Sequence, residues 1–158
     1  MKILLTAFKD TSSEKLINCF DDRFFKLILQ NNKLKSEHQL KQFIDKEKPN
    51  YVISLGQRPV IKNKIHIETC AKSEERIIYT DFDYDTLLRI FKDNGIEVKL
   101  SNNAGTSFCN NIYCFGLSYI QNKKIDTKML FVHIPFEKNI SDFKCFADKM
   151  INALEYIN

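Results

Sequence analysis

The sequence is short of the residues that divide a chain: its 158 positions hold four glycines, three prolines and no tryptophan. There is no Gly/Ser-rich linker, internal repeat or low-complexity tract either, so a single domain over 1–158 is expected, long enough to bury a core without staples. No apolar run approaches the roughly 20 residues that span a bilayer, which argues against a helical membrane span. The opening Met1–Phe8 is apolar, but Lys9 and Asp10 interrupt it before any small-residue cleavage site, so it reads as a first strand. Arginine is scarce, with four among the 24 basic residues, and the lysines that give the net charge of +4 alternate with Asp and Glu along the chain. That pattern is a solvated surface and not the clustered Arg-plus-aromatic face of a nucleic-acid binder. Five cysteines, an odd number without C-x-x-C spacing and set in apolar segments, point to reduced thiols and a cytoplasmic setting. His38, His66 and His133 have no zinc-ligand spacing, so no metal is expected. No G-x-G-x-x-G or Walker segment exists, which sets a nucleotide module aside, and no cofactor is implied.

What is present is an alternation of strand and helix patterns. Residues 2–8, 51–55, 64–68, 96–100 and 129–134 read as strands. Residues 13–29, 36–47, 84–94, 107–121 and a segment from about Ser141 read as helices, Asp83 and Gly95 supplying a start and a stop for the third. The implied class is α/β: a three-layer αβα arrangement with a mainly parallel or mixed central sheet and helices on both faces. Sites in such folds collect at the carboxyl edge of the sheet.

Two segments carry chemistry. Ser101–Asn110 joins a strand to a helix and places Cys109 in the first helical turn, where unpaired N–H groups and the helix dipole favour a thiolate and hold an oxyanion. Phe131-Val132-His133-Ile134-Pro135 puts His133 near the end of a strand expected to neighbour the one preceding Cys109. Such an imidazole serves as general base, with Glu68 at the end of its own strand as orienting carboxylate. The residues alone leave other readings open: a cysteine in an apolar helix is commonly a core filler, a strand histidine a satisfied core group, and Glu68 a solvated end.

SNNAGTSFCN and FVHIP match the Ser-Asn-x-Ala-Gly-x-x-x-Cys-Asn and Phe-x-His-x-Pro segments of the pyroglutamyl peptidase I family, also called pyrrolidone carboxylate peptidases. MKILLTAF, PNYVISLGQ and IHIE are similar to its opening strand, its glycine turn and the strand bearing its triad glutamate. The chain thus resembles a shortened, divergent member. The resemblance implies a cysteine exopeptidase that removes N-terminal pyroglutamate from peptides, with Cys109, His133 and Glu68 as the triad. It also implies substrate contacts from Phe8, the backbone around Gln57, Ser107 and Phe108, an oxyanion arginine at Arg76, a peptide partner with a blocked N-terminus, and a possible homo-oligomer. The chain departs from the family where Thr11 replaces the second phenylalanine of the ring-binding loop, where Arg58-Pro59-Val60-Ile61 follows Gln57, and where the Glu68–Asp83 connection is shortened. These departures leave two alternatives: a thiol hydrolase of the same fold with changed acyl specificity, or an inactive binding protein.

Overall fold

The computed structural model describes residues 1–157. Its strands are β1 (Ile3–Phe8), β2 (Phe25–Leu29), β3 (Tyr51–Arg58), β4 (Lys64–Glu68), β5 (Cys70–Lys72), β6 (Ile77–Tyr79), β7 (Glu97–Ser101) and β8 (Lys128–Pro135). The helices are α1 (Ser12–Ile17), α2 (Lys33–Glu47), α3 (Tyr84–Asp93), α4 (Phe108–Lys123) and α5 (Phe143–Glu155). Local chemistry sets many of the boundaries. Asn32, Asp83 and Asp142 accept hydrogen bonds from Lys35 N, Thr86 N and Cys145 N at the starts of α2, α3 and α5. Gly95 turns the chain after α3 with φ of +69°, and Lys48 takes a left-handed conformation before Pro49.

Six strands form one sheet in the order β2-β1-β3-β8-β4-β7. β2, β1, β3 and β8 are mutually parallel. β4 runs antiparallel to β8 and parallel to β7, so the sheet is mixed. Ile3, Leu5, Ile53, Leu130 and Val132 face α1, α3 and α5 on one side. Leu4, Val52, Met129 and Phe131 face α2 and α4 on the other, giving the three layers. The central strands β1 and β8 are almost wholly buried, as continuous apolar strands covered on both faces must be. No described helix is long and apolar enough to cross a membrane.

Two expectations are corrected, and one pair of strands is added. Residues 13–29 are not one helix: α1 ends at Ile17, and Phe25–Leu29 is strand β2. Asp21 and Asp22 break the helical pattern, and the run Phe25 to Leu29 pairs with β1 because that edge of the sheet would otherwise be open. β8 does not neighbour β7; β4 lies between them. The small β5–β6 pair, unread in the sequence because each strand has three residues, packs against α4.

α4 approaches the sheet closely at Gly116, where a Cβ would collide with Met129 Sδ and stand 3.3 Å from Leu40 Cδ2. Gly116→Leu is therefore expected to destabilise the protein by about 2 kcal/mol, seen as a lowered urea midpoint. An unchanged midpoint would show that α4 is not held at this contact.

Candidate active site

Pairing across the sheet brings the chemistry to one face. Gly56 pairs with His133 and Ser54 with Phe131 between β3 and β8, while His66 pairs with His133 and Glu68 with Phe131 between β4 and β8. Directly paired residues project to the same side of a sheet, so Gly56, His133, His66 and Glu68 share the face covered by α2 and α4. The reversal of β4 is what matters here. Glu68 does not lie level with His133 but two residues away along β8, from where its side chain reaches diagonally to the ring.

Glu68 Oε1 stands 2.8 Å from His133 Nδ1, and both residues are buried. Arg58 Nη1 approaches the same oxygen at 3.3 Å, and its Nη2 donates to the Asn103 carbonyl at 2.8 Å. The Tyr113 hydroxyl, on α4, donates to the Glu68 carbonyl at 2.9 Å. Burial pushes the Glu68 carboxyl up, but the hydrogen bond with His133, the nearby Ser101 hydroxyl and the Arg58 charge outweigh it and hold the group below its ordinary value. Glu68 is therefore an ionised acceptor at neutral pH, so the proton of this bond sits on His133 Nδ1.

Cys109 occupies the first turn of α4 after the N-cap Ser107, and Gly105 makes the turn before it with φ of +89°. The Cys109 sulfur lies 2.7 Å from where a Cβ on Gly56 would stand. Since Gly56 is the direct partner of His133, the thiol overlies the sheet at the row that carries the imidazole. The lack of a side chain at Gly56 is what admits it. Asn110 fixes this helix start by bonding both the N–H and the carbonyl of Lys72 on β5 at 2.9 and 2.7 Å. The sequence led us to expect a thiol lowered by the helix terminus. Instead, burial pushes Cys109 up to about 11, with Arg58 offsetting part of the effect and Glu68 adding to it. The resting group is a thiol that needs a base.

The other residues named from the sequence divide in two. Phe8, at the end of β1, packs against Phe108 with ring centroids 5.6 Å apart, so both stand beside Cys109. Ser107 is exposed, and its side chain makes no capping bond. Gln57 projects to the opposite face, where its side chain accepts from Ser12 N; only its backbone runs past the site. Arg76 is not brought to the site. Its guanidinium donates to Ser118 far along α4, roughly 13 Å from Cys109 by helix rise. The guanidinium beside Glu68 and near the thiol is that of Arg58, which in the sequence is part of an altered turn. Its position two residues after Gly56 on one strand is the signal that places it on the same face.

No family model matches the chain. It is 28% identical to the pyrrolidone-carboxylate peptidase of Thermosipho melanesiensis, over 88% of this chain and 85% of that one. It is also 28% identical to that of Thermosipho africanus, over 98% and 93%. Over most of its length this chain is thus similar to pyrrolidone-carboxylate peptidases. The fold agrees: the pyroglutamyl peptidase I of Bacillus amyloliquefaciens superposes with a TM-score of 0.84 at 18% identity, covering 96% of this chain and 92% of that one. The pyrrolidone carboxyl peptidase of Thermococcus litoralis gives 0.81 at 19%, covering 98% and 91%.

Within this pyrrolidone-carboxylate peptidase fold the Glu68–His133 bond also contributes stability with a definite pH dependence. The folded carboxyl is lowered from 4.5, so its contribution is complete above that unfolded value and is lost as pH falls through the lower folded one. Glu68→Gln is expected to cost about 2 kcal/mol at neutral pH. In urea denaturation the stability gap between the two proteins should narrow as the pH falls below 4.5. A gap independent of pH would contradict the ionised bond.

Proposed function

We propose that the chain removes an N-terminal pyroglutamyl group from peptides, with Cys109 as nucleophile, His133 as general base and acid, and Glu68 as the orienting carboxylate. The observation that carries this reading is the buried 2.8 Å bond from Glu68 to His133 Nδ1 in the sheet row against which Cys109 packs. With Nδ1–H committed to Glu68, Nε2 takes the thiol proton, and the thiolate attacks the carbonyl that joins pyroglutamate to the next residue. The N–H groups of the first turn of α4 have no partner within the helix and face the developing oxyanion. His133 then gives the proton to the leaving amine, and a water molecule that it activates hydrolyses the thioester. Because the free thiol sits near 11, turnover at neutral pH depends on transfer to His133.

The altered first loop supports a second reading, the same chemistry on another acyl group. Thr11 stands where the family has a second phenylalanine. Its hydroxyl bonds the Phe8 carbonyl at 2.6 Å and caps α1 by accepting from Glu14 N. The aromatic surface beside Cys109 is instead made by Phe8 and Phe108, the latter half-exposed. A ring bound there would lie against this pair, and replacing Phe108 by alanine should raise KM more than it lowers kcat.

The test is amine release from a fluorogenic pyroglutamyl substrate by the reduced protein, beside a panel of other acyl groups. Cys109→Ala and His133→Ala are each expected to lower kcat/KM at least about 10³-fold. Turnover on another acyl group alone selects the second reading. No turnover on any substrate, with wild-type Cys109 alkylated no faster than in His133→Ala, would overturn both and leave a binding protein on the inherited fold.

A further inference from the structure

The row of residues that carries the site continues past it. Gly56, His133, His66 and Lys99 are paired in succession across β3, β8, β4 and β7. Phe8 is one residue beyond Ala7, the partner of Leu55, and so stands level with Gly56 at the other end. All these residues project to the α2/α4 face. A substrate whose acyl ring lies against Phe8 and Phe108, and whose carbonyl meets Cys109, delivers its leaving amine to His133. The remainder of the peptide is then directed over β4 and β7.

Over those two strands lies an open cavity of about 550 Å³, lined by Arg58, His66, Thr69, Lys99, Ser101 and Asn102 among others. Among the described residues, no carboxylate lines it. Lys99 is exposed and forms no ion pair among the described residues, while Arg58 forms one at 3.3 Å with Glu68. Neither ring nitrogen of His66 has a hydrogen-bond partner among the described residues. Burial, outweighing the Glu68 charge and assisted by Arg58, Lys64 and Lys99, lowers His66 from its ordinary value, so it stands neutral among cations. The result is a cavity with two guanidinium or ammonium groups, an unpartnered imidazole and amide and hydroxyl donors. Lys99 is two strands from His133, about 10 Å at ordinary strand spacing, which one residue beyond the scissile bond and its side chain can cover.

We propose that this cavity receives a carboxylate on the residue that follows the pyroglutamyl group, making acidic leaving residues preferred substrates. The inference rests on the reading of Cys109 and His133 given above. The carboxylate has two sources, the side chain of Asp or Glu and the free C-terminus of a dipeptide, and Lys99, which Arg58's pairing with Glu68 leaves as the unpaired cation of the cavity, meets either as a charge-assisted contact.

The experiment compares pyroglutamyl-Glu-amide with pyroglutamyl-Gln-amide, and pyroglutamyl-Ala with its amide. Turnover is followed in the wild type, and binding to Cys109→Ala is followed by calorimetry and by the His66 imidazole NMR signals. The acidic member of at least one pair should be favoured about fivefold in kcat/KM and in affinity, with the His66 signals shifting on binding. The pair that responds identifies the source. Lys99→Ala should bring the ratio towards one, and Lys99→Glu should invert it. Equal affinities in both pairs, or a preference that survives Lys99→Glu, would overturn the inference even if pyroglutamyl hydrolysis is established. Absence of turnover in the wild type, with the charge preference in binding intact, would overturn the hydrolytic reading and leave the carboxylate site standing.

Discussion

A carboxylate and an imidazole buried between a sheet and a helix are costly to desolvate, and the cost is met only if each has its partner. The Glu68–His133 bond is therefore the constraint around which this half of the protein is arranged. It requires β4 to run against β8, because only that register sets Glu68 beside Phe131 and within reach of a ring two residues further on. It also requires Arg58 to turn inward from the end of β3, where it neutralises the carboxylate and holds the loop before α4 through the Asn103 carbonyl. Tyr113 joins α4 to the same glutamate through its main chain. The helix that bears the thiol is thus referenced to the residue that holds the His133 ring.

The thiol is held by packing as much as by charge. Gly56 leaves the space that the Cys109 sulfur occupies, and Phe131 fills what remains, so a methyl group there would meet both. Close packing of this kind excludes water and raises the thiol, which makes the resting site less reactive than an exposed cysteine at a helix start. In the function proposed above, reactivity is then conditional on His133.

Much of this could be read from the residues because strong local patterns agreed with the tertiary result. The continuous apolar runs of β1 and β8, the capped amphipathic α3 and the Gly105 turn before Cys109 are local features, and each appears where it was expected. The direction of β4 was not legible, since a five-residue alternating strand reads the same in either orientation. β2 was hidden by charged residues that suit a helix surface, and its strand character comes from an open sheet edge that no local window contains. Arg58 and His66 escaped notice for the same reason. Their importance lies in cross-strand registers with Gly56, Glu68 and His133, and register is a property of the assembled sheet. The placement of Arg76 failed where a shortened connection removed the count on which it depended.

The proposed nucleophile is Cys109, activated from within a buried row. Its most direct test is to incubate the reduced protein with an activated pyroglutamyl ester, quench in acid, and locate any covalent product by intact and peptide mass spectrometry. One pyroglutamyl group on Cys109, accumulating far more slowly when His133 is replaced by alanine, is the predicted result. No adduct at Cys109, or equal labelling spread over Cys19 and Cys145, which are exposed, would contradict it.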